Sequence, residues 1–473
     1  MIFNSLTFIL FFAVVLGVYY LVPMSWRAKK WFILLASYVF YAAWNPPFVL
    51  LLMASTVIDW VVANRMASTR NHYGRRFLLL VSLVFNLGVL AFFKYGGFLL
   101  DNFAVLMHSI GIAYQPPVWS IILPIGISFY TFLTLSYTID VYFKVMEPVD
   151  SLLDYAFFIT FFPHLVAGPI IRAADFLPQV TQERRANKDQ MGWGLVLMTI
   201  GLFEKTILAD GFLAPFADRV YSAAAHAGFA DAWLGTLAFS AQIFFDFAGY
   251  STCAIGAALC LGFVLMDNFR YPYAAIGFSD FWQRWHISLS TWLRDYLYIP
   301  LGGNRRGAMR TRVNLMITML LGGLWHGAAW RFVVWGGLHG SYLVVERQAK
   351  DRWGARALWT GRGARVVLAL LTYAAVCLTW VFFRAPTLAA ARHVSGSMLT
   401  GGHDSHLLGT LGRSIIVALT AVLLTTHWWL RDSSIEAKWQ AMSPWVRATA
   451  LTAMLVSLCL VSGDARAFIY FQF

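Results

Sequence analysis

Phe77-Leu-Leu-Leu-Val-Ser-Leu-Val-Phe-Asn-Leu-Gly-Val-Leu-Ala-Phe-Phe-Lys-Tyr95 holds one charged residue, Lys94, across its whole length. At about 1.5 Å of rise per residue, a helix of that length comes close to crossing the ~30 Å hydrocarbon core of a bilayer. Comparable apolar stretches recur at 3–22, 31–43, 48–63, 119–143, 192–209, 233–265, 313–325, 331–346, 366–384, 412–430 and 447–462. Of 473 residues, 59% are hydrophobic and only 12% charged, and mean hydropathy is +0.63. A soluble chain carries about 25% charged residues. The pattern predicts an all-α, polytopic transmembrane protein of about ten to twelve spans, since a membrane barrel would instead show alternating segments of about ten residues. Segments 155–170 and 281–300 are too interrupted or too charged to span and read as re-entrant or interfacial helices. No linker or appended soluble domain is evident, so residues 1–473 read as one membrane-embedded domain.

The net charge of +13 does not indicate a nucleic-acid partner, because the basic residues lie in short loops between apolar stretches. With the N-terminus outward, the loops holding Arg27–Lys30, Arg65–Arg76, Lys144, Arg172–Lys188, Arg270–Arg312, Arg347–Arg365 and Arg431–Arg447 all face the cytoplasm. They hold most of the 36 Lys and Arg, so both termini are assigned to the outer side. The first apolar stretch lacks a basic preceding region and reads as a retained helix rather than a signal peptide. Cys253, Cys260, Cys377 and Cys459 all fall in apolar segments and read as buried small hydrophobes, with no spacing that suits a disulfide framework or a metal.

Two histidines carry the chemical interest. His326 lies in Gly322-Gly-Leu-Trp-His-Gly-Ala-Ala-Trp330, and His286 in Asp280-Phe-Trp-Gln-Arg-Trp-His-Ile-Ser-Leu-Ser-Thr-Trp-Leu-Arg-Asp295. An ionisable ring at membrane depth is costly, which favours a role in proton transfer or substrate contact. For His326 two readings stand: a general base, or a hydrogen-bonding residue between helices. The glycines around it permit either close helix packing or close approach of a ligand. His339, in Gly336-Gly-Leu-His-Gly340, reads as structural, and no acidic residue accompanies either ring to make a zinc site. Trp282, Trp285 and Trp292 are the residue type that anchors a helix at the water–lipid boundary. Arg305, Arg306, Arg310 and Arg312 are set either to meet anionic headgroups or to bind the phosphates of a donor. In Phe161-Phe-Pro-His164-Leu-Val-Ala-Gly168-Pro169-Ile-Ile-Arg172 the prolines and glycine free backbone groups that must be buried or line a cavity. Glu204 and Lys205 are adjacent on a helix and need separate partners. No phosphate-binding loop, nucleophile elbow or His-Glu-x-x-His is present.

Several stretches together resemble the membrane-bound O-acyltransferases of bacteria, and the alginate O-acetylation branch more than the D-alanylation branch. They are Asn45-Pro-Pro47, Leu123-Pro-Ile-Gly-Ile-Ser-Phe-Tyr-Thr-Phe132, Phe162-Pro-His-Leu-Val-Ala-Gly-Pro-Ile170, Asp280-Phe-Trp-Gln-Arg-Trp-His286, Tyr298-Ile-Pro-Leu-Gly-Gly-Asn-Arg305, Leu324-Trp-His-Gly-Ala328 and Phe468-Ile-Tyr-Phe-Gln-Phe473. The resemblance implies a many-helix fold with a central funnel in the bacterial inner membrane. It implies an acyl group moved from a cytoplasmic thioester, with acetyl-CoA the expected donor and no resident cofactor or metal, toward a hydroxyl on the periplasmic side of the membrane. It makes His326 the essential residue and His286 a second functional one. Expected wall residues of the passage are Trp325, Trp285, Pro163, His164, Gly168, Pro169 and Asn304, and the expected partners are extracytoplasmic polysaccharide acetyltransferases. The competing classes are O-acylation of peptidoglycan, cellulose or a teichoic-acid system, an exporter of a polysaccharide or lipid-linked intermediate, and a scaffold without chemistry.

Overall fold

The computed structural model describes residues 1–119, 121–166, 168–354, 361–401, 405–460, 466, 468 and 469. Tyr470–Phe473, part of the last motif quoted above, lie outside the described residues. All regular structure among the described residues is helical. The chain forms two compact units: residues 1–195 with 254–266, and residues 196–253 with 267–473.

In the first unit α1 (Leu6–Leu21), α2 (Trp26–Ala42) and α3 (Pro47–Ser68) are followed by α4 (His72–Leu90), which continues through a π turn at Ala91–Tyr95 into α5 (Gly96–Ser109). Next come α6 (Ile127–Tyr142), α7 (Leu152–Thr160), α8 (Phe162–Leu165), α9 (Ala173–Val180) and the first part of α10 (Lys188–Phe203). The apolar stretch expected over 119–143 is helical only from Ile127. Pro124 cannot donate a backbone hydrogen bond, and Gly126 turns the chain at φ 74° before the helix starts. Between α3, α4 and α6 lies a buried polar knot. Asp59 accepts from Ser82 and from Asn86 (2.8 Å), and the Asn86 carbonyl accepts from Ser55 (2.9 Å) and Thr134 (3.3 Å). Groups this costly to bury persist because each donor has found an acceptor, which fixes the register of the three helices. Outward faces stay apolar: Leu10 and Val14 on α1 and Val84 on α4 are at least 60% exposed, as lipid-facing positions are.

In the second unit a π-helix (Glu204–Leu213) leads to α11 (Ala214–Ser222) and to residues 229–253 of the long α12 (Phe229–Cys260), whose last residues belong to the first unit. Short α13 (Phe278–Trp282) and α14 (Ile287–Leu293) precede a π turn at Arg294–Tyr298. The hairpin of α15 (Gly307–His326) and α16 (Trp330–Trp353) is followed by α17 (Arg362–Arg384), α18 (Leu388–Thr400), α19 (Thr410–Leu430), α20 (Ile435–Ala441) and α21 (Pro444–Leu460). The hairpin is closed by glycine. A Cβ on Gly323 would lie 2.2 Å from the Phe332 carbonyl oxygen, and one on Gly336 would lie 2.3 Å from that of Met319. The two backbones therefore touch where any other residue would hold them apart.

Five helices among the described residues are long and apolar enough to cross a membrane: Pro47–Ser68, His72–Ser109, Phe229–Cys260, Arg362–Arg384 and Thr410–Leu430. Leu6–Leu21 and Pro444–Leu460 are also apolar but shorter. α15 and α16, expected as spans, are not among the five; glycines, polar residues and charges interrupt their apolar runs. Cys253, Cys260 and Cys377 are buried as expected, whereas Cys459 is exposed, on a helix with no buried face among its described residues.

Candidate functional site

The segment expected as one interfacial helix over 281–300 is instead broken at its centre. His286 adopts the left-handed conformation (φ 44°, ψ 55°) between α13 and α14, a backbone state that costs a non-glycine residue about 1–3 kcal/mol. Three carboxyl or amide side chains hold the break in place. Glu346 of α16 accepts the N–H groups of Phe278 (2.6 Å) and Ser279 (2.9 Å) at the start of α13. Asp280 accepts the Ile276 N–H (2.8 Å) and pairs with Arg284 (2.7 Å) and Arg431 (2.5 Å). Burial alone would raise that carboxyl, but the Ile276 N–H and the two guanidiniums more than offset it and hold Asp280 below its ordinary value. Asn268 receives the Ile287 N–H on its backbone oxygen (2.9 Å) and the Ser288 hydroxyl on its side chain (2.9 Å). Its own amide donates to Ser251 of α12 (3.1 Å). None of Glu346, Asn268 or Arg431 stood out in the sequence, because their partners are distant along the chain.

The break delivers the His286 ring to the end of α15. His286 and His326 are both buried, with ring centroids 6.4 Å apart. Trp325 packs against both rings, at 5.9 Å and 5.0 Å. Trp335 (5.0 Å) and Phe383 (5.4 Å) complete the surround of His326, and Phe247 meets the His286 ring edge to face at 4.6 Å. The two imidazoles, 40 residues apart in sequence, thus share one apolar pocket from which bulk water is excluded.

A cavity of about 550 Å³ lies in the same unit. Trp282, Ile287, Leu293, Leu315, Met319 and Leu343 give it an apolar interior, and Ser290, Thr291, Thr311 and Thr318 place hydroxyls in its wall. Arg294, Arg347 and Lys350 bring positive charge, each near an acid: Asp295 (2.7 Å), Asp351 (3.3 Å) and Glu346. Ring contacts link cavity and histidine: Trp282 in the wall contacts Trp335 (5.8 Å), which contacts His326 (5.0 Å). Ile287, also in the wall, directly follows His286.

The other residues singled out in the sequence fall elsewhere. Arg305, Arg306, Arg310 and Asn304 are exposed, and none of them, nor Arg312, lines the cavity. Thr311, within that basic run, does line it. Trp285 and Trp292 are buried rather than interfacial; Trp285 stacks on Phe281 (5.8 Å) and packs on Trp380 (5.0 Å). Trp325 touches the histidines but does not line the cavity. Pro163, His164, Gly168 and Pro169 are buried in the first unit, with the His164 ring among Phe158, Phe161 and Phe176. There Gly168 passes so close to His164 that a Cβ would meet its Cα at 2.4 Å. His339 accepts or donates a hydrogen bond with Thr379 (2.9 Å) inside an aromatic cluster, in keeping with a structural residue. Lys205 finds its partners in Asp246 and in Asp210 (2.9 Å), apart from neighbouring Glu204.

A polytopic helical protein with two buried histidines linked by aromatic contacts to an amphipathic cavity has the make-up of a membrane enzyme. Residues 142–352 match the model of MBOAT, the membrane-bound O-acyltransferase family. The chain is 43% identical, over 85% of its length and 79% of the relative's, to a probable alginate O-acetylase of Azotobacter vinelandii. It is 37% identical to another from Pseudomonas putida over the whole of both chains. It is also 34% identical to a peptidoglycan O-acetyltransferase of Helicobacter pylori, over 94% of this chain and 91% of that one. The chain belongs to the membrane-bound O-acyltransferase family, and it is a multi-pass membrane O-acyltransferase.

Proposed function

We propose that the protein takes an acetyl group from a cytoplasmic thioester, acetyl-CoA, and passes it across the bacterial inner membrane for O-acetylation of an extracytoplasmic polysaccharide. Both termini lie on the periplasmic side, and separate extracytoplasmic acetyltransferases complete the modification. Alginate or a similar exopolysaccharide is the acceptor favoured by the relatives' names. Peptidoglycan is the second reading, on the strength of the Helicobacter pylori relative. The single observation that carries the proposal is the cavity whose wall residue Trp282 contacts Trp335, which in turn contacts His326.

The chemistry needs little more. A thioester supplies the driving force, so the protein must position the donor, exclude competing water and accept a proton. His326 accepts the proton of the attacking hydroxyl as its oxygen bonds the carbonyl carbon. The carbon–sulfur bond breaks, and the proton returns to the leaving thiolate. Trp325, Trp335 and Phe383 keep water from hydrolysing the thioester in the meantime. His286 sits close enough to orient the reacting groups.

The donor's phosphates are placed by Arg294, Arg347 and Lys350, which line the cavity, rather than by Arg305, Arg306, Arg310 and Arg312, which do not. Substituting Arg347 and Lys350 together by Gln is expected to raise the KM for acetyl-CoA about tenfold or more, with kcat little changed, as loss of charge-assisted contacts made equally in ground and transition states does. Substituting Arg305 and Arg306 should leave that KM unchanged. Steady-state kinetics in detergent or nanodiscs decide between them, and the reverse ranking would return the donor to the exposed loop.

A further inference from the structure

Asp246 of α12 is 2% exposed and accepts from two directions. Lys205 approaches one oxygen from the π-helix, whose hydrogen bonds run from residue i to i+5 and so stack Lys205 over Asp210. The other oxygen accepts the backbone N–H of Ile469 at 2.9 Å. A charge pair buried at this depth is expensive, and it is worth keeping where it fixes one register among several. Here the register it fixes is that of the segment carrying Phe468. The Phe468 ring, fully buried, packs on Phe247 at 5.3 Å and on Tyr250 at 5.0 Å. Phe247 follows Asp246 directly, and its other side meets the His286 ring at 4.6 Å. Phe269 adds a further edge contact on Phe247 at 5.0 Å. The contacts therefore run unbroken from a buried ion pair, through two phenyl rings, to an imidazole.

The His286 ring takes one of its faces from Phe247. It sits at a left-handed break, and the bonds that secure the break go to Asn268 from its successors Ile287 and Ser288. We infer that Phe468 is a positioning residue: locked by Asp246, it backs Phe247 against His286 and fixes the angle at which that ring faces His326. This rests on the reading of His286 as functional. It gives Phe468-Ile469, in the last motif quoted from the sequence, a task in catalysis beyond packing.

The test compares Phe468→Ala, Phe468→Leu, Phe247→Leu and His286→Ala, alone and with Phe468→Ala, in purified full-length protein. Phe468→Ala is expected to lower kcat for acetyl transfer about tenfold or more, the scale on which misplacing a reacting group acts, with the donor KM unchanged. Phe468→Leu, which refills most of the volume, should restore most of the rate, and Phe247→Leu should lower kcat as Phe468→Ala does. On the His286→Ala background, Phe468→Ala should cost nothing further. Wild-type kcat in Phe468→Ala, or an equal loss with and without His286, overturns the inference, as does failure of both Phe468→Ala and Phe247→Leu to accumulate. If His286→Ala alone retains full transfer, it is the functional reading of His286 that fails, and the inference with it.

Discussion

Replacing His326 by Gln is expected to lower the rate of acetyl transfer by roughly 10²- to 10⁴-fold at unchanged abundance in the membrane, the contribution of a positioned proton acceptor. Gln keeps the volume and the polarity of the ring position, so the cage of Trp325, Trp335 and Phe383 has no reason to collapse. What it removes is a group that takes and returns a proton near neutral pH. His326 does not line the cavity, so the KM for the donor should hold while kcat falls. Loss confined to the transition state gives that split. Rate measurements on purified variant, with donor concentration varied, check both halves. Normal polymer acetylation by His326→Gln would remove the residue from the mechanism.

Gly323→Val is expected to abolish accumulation of the folded protein, and Gly336→Val the same. Each added side chain would begin about 1 Å inside van der Waals contact with a backbone carbonyl of the facing helix, and backbone cannot swing aside as a side chain can. Separating α15 from α16 would also move His326, at the end of one helix, away from Trp335 on the other. Gly337→Ala is the control: its Cβ would meet only the Leu320 side chain, at an ordinary 3.6 Å. Ala is favoured over Gly inside a helix by roughly 1 kcal/mol, so this variant should accumulate at least as well as the parent. Fluorescence-detected size exclusion of membrane extracts distinguishes the two behaviours. Accumulation of a monodisperse Gly323→Val protein would contradict the close backbone contact.

These glycines show where sequence reading reaches its limit. Gly322, Gly323 and Gly327 permitted either helix packing or approach of a ligand. The facing backbone at Gly323 and the Phe332 ring against Gly327 decide for packing, and that is a tertiary fact. The five long apolar helices were legible because hydropathy is local, and each histidine was legible alone because an ionisable ring in an apolar run is conspicuous. Their meeting at 6.4 Å was not, since it depends on a left-handed kink held by Asn268, Asp280 and Glu346. The basic run at 305–312 drew attention as a cluster in sequence. The cations that share the cavity, Arg294, Arg347 and Lys350, come from two elements and form a cluster only in space. Trp285 and Trp292 illustrate the same point: Trp suits an interface or a core, and only the partners Phe281 and Trp380 place Trp285 in the core.

Inverted membrane vesicles, with acetyl-labelled CoA supplied at the exposed cytoplasmic face and an acceptor glycan enclosed in the lumen together with its extracytoplasmic acetyltransferase, test most directly whether acetyl transfer from one side to the other depends on His326. The account predicts label on the enclosed glycan with the parent protein and almost none with His326→Gln. Equal labelling by the two, or label confined to the face where the donor was added, would contradict it.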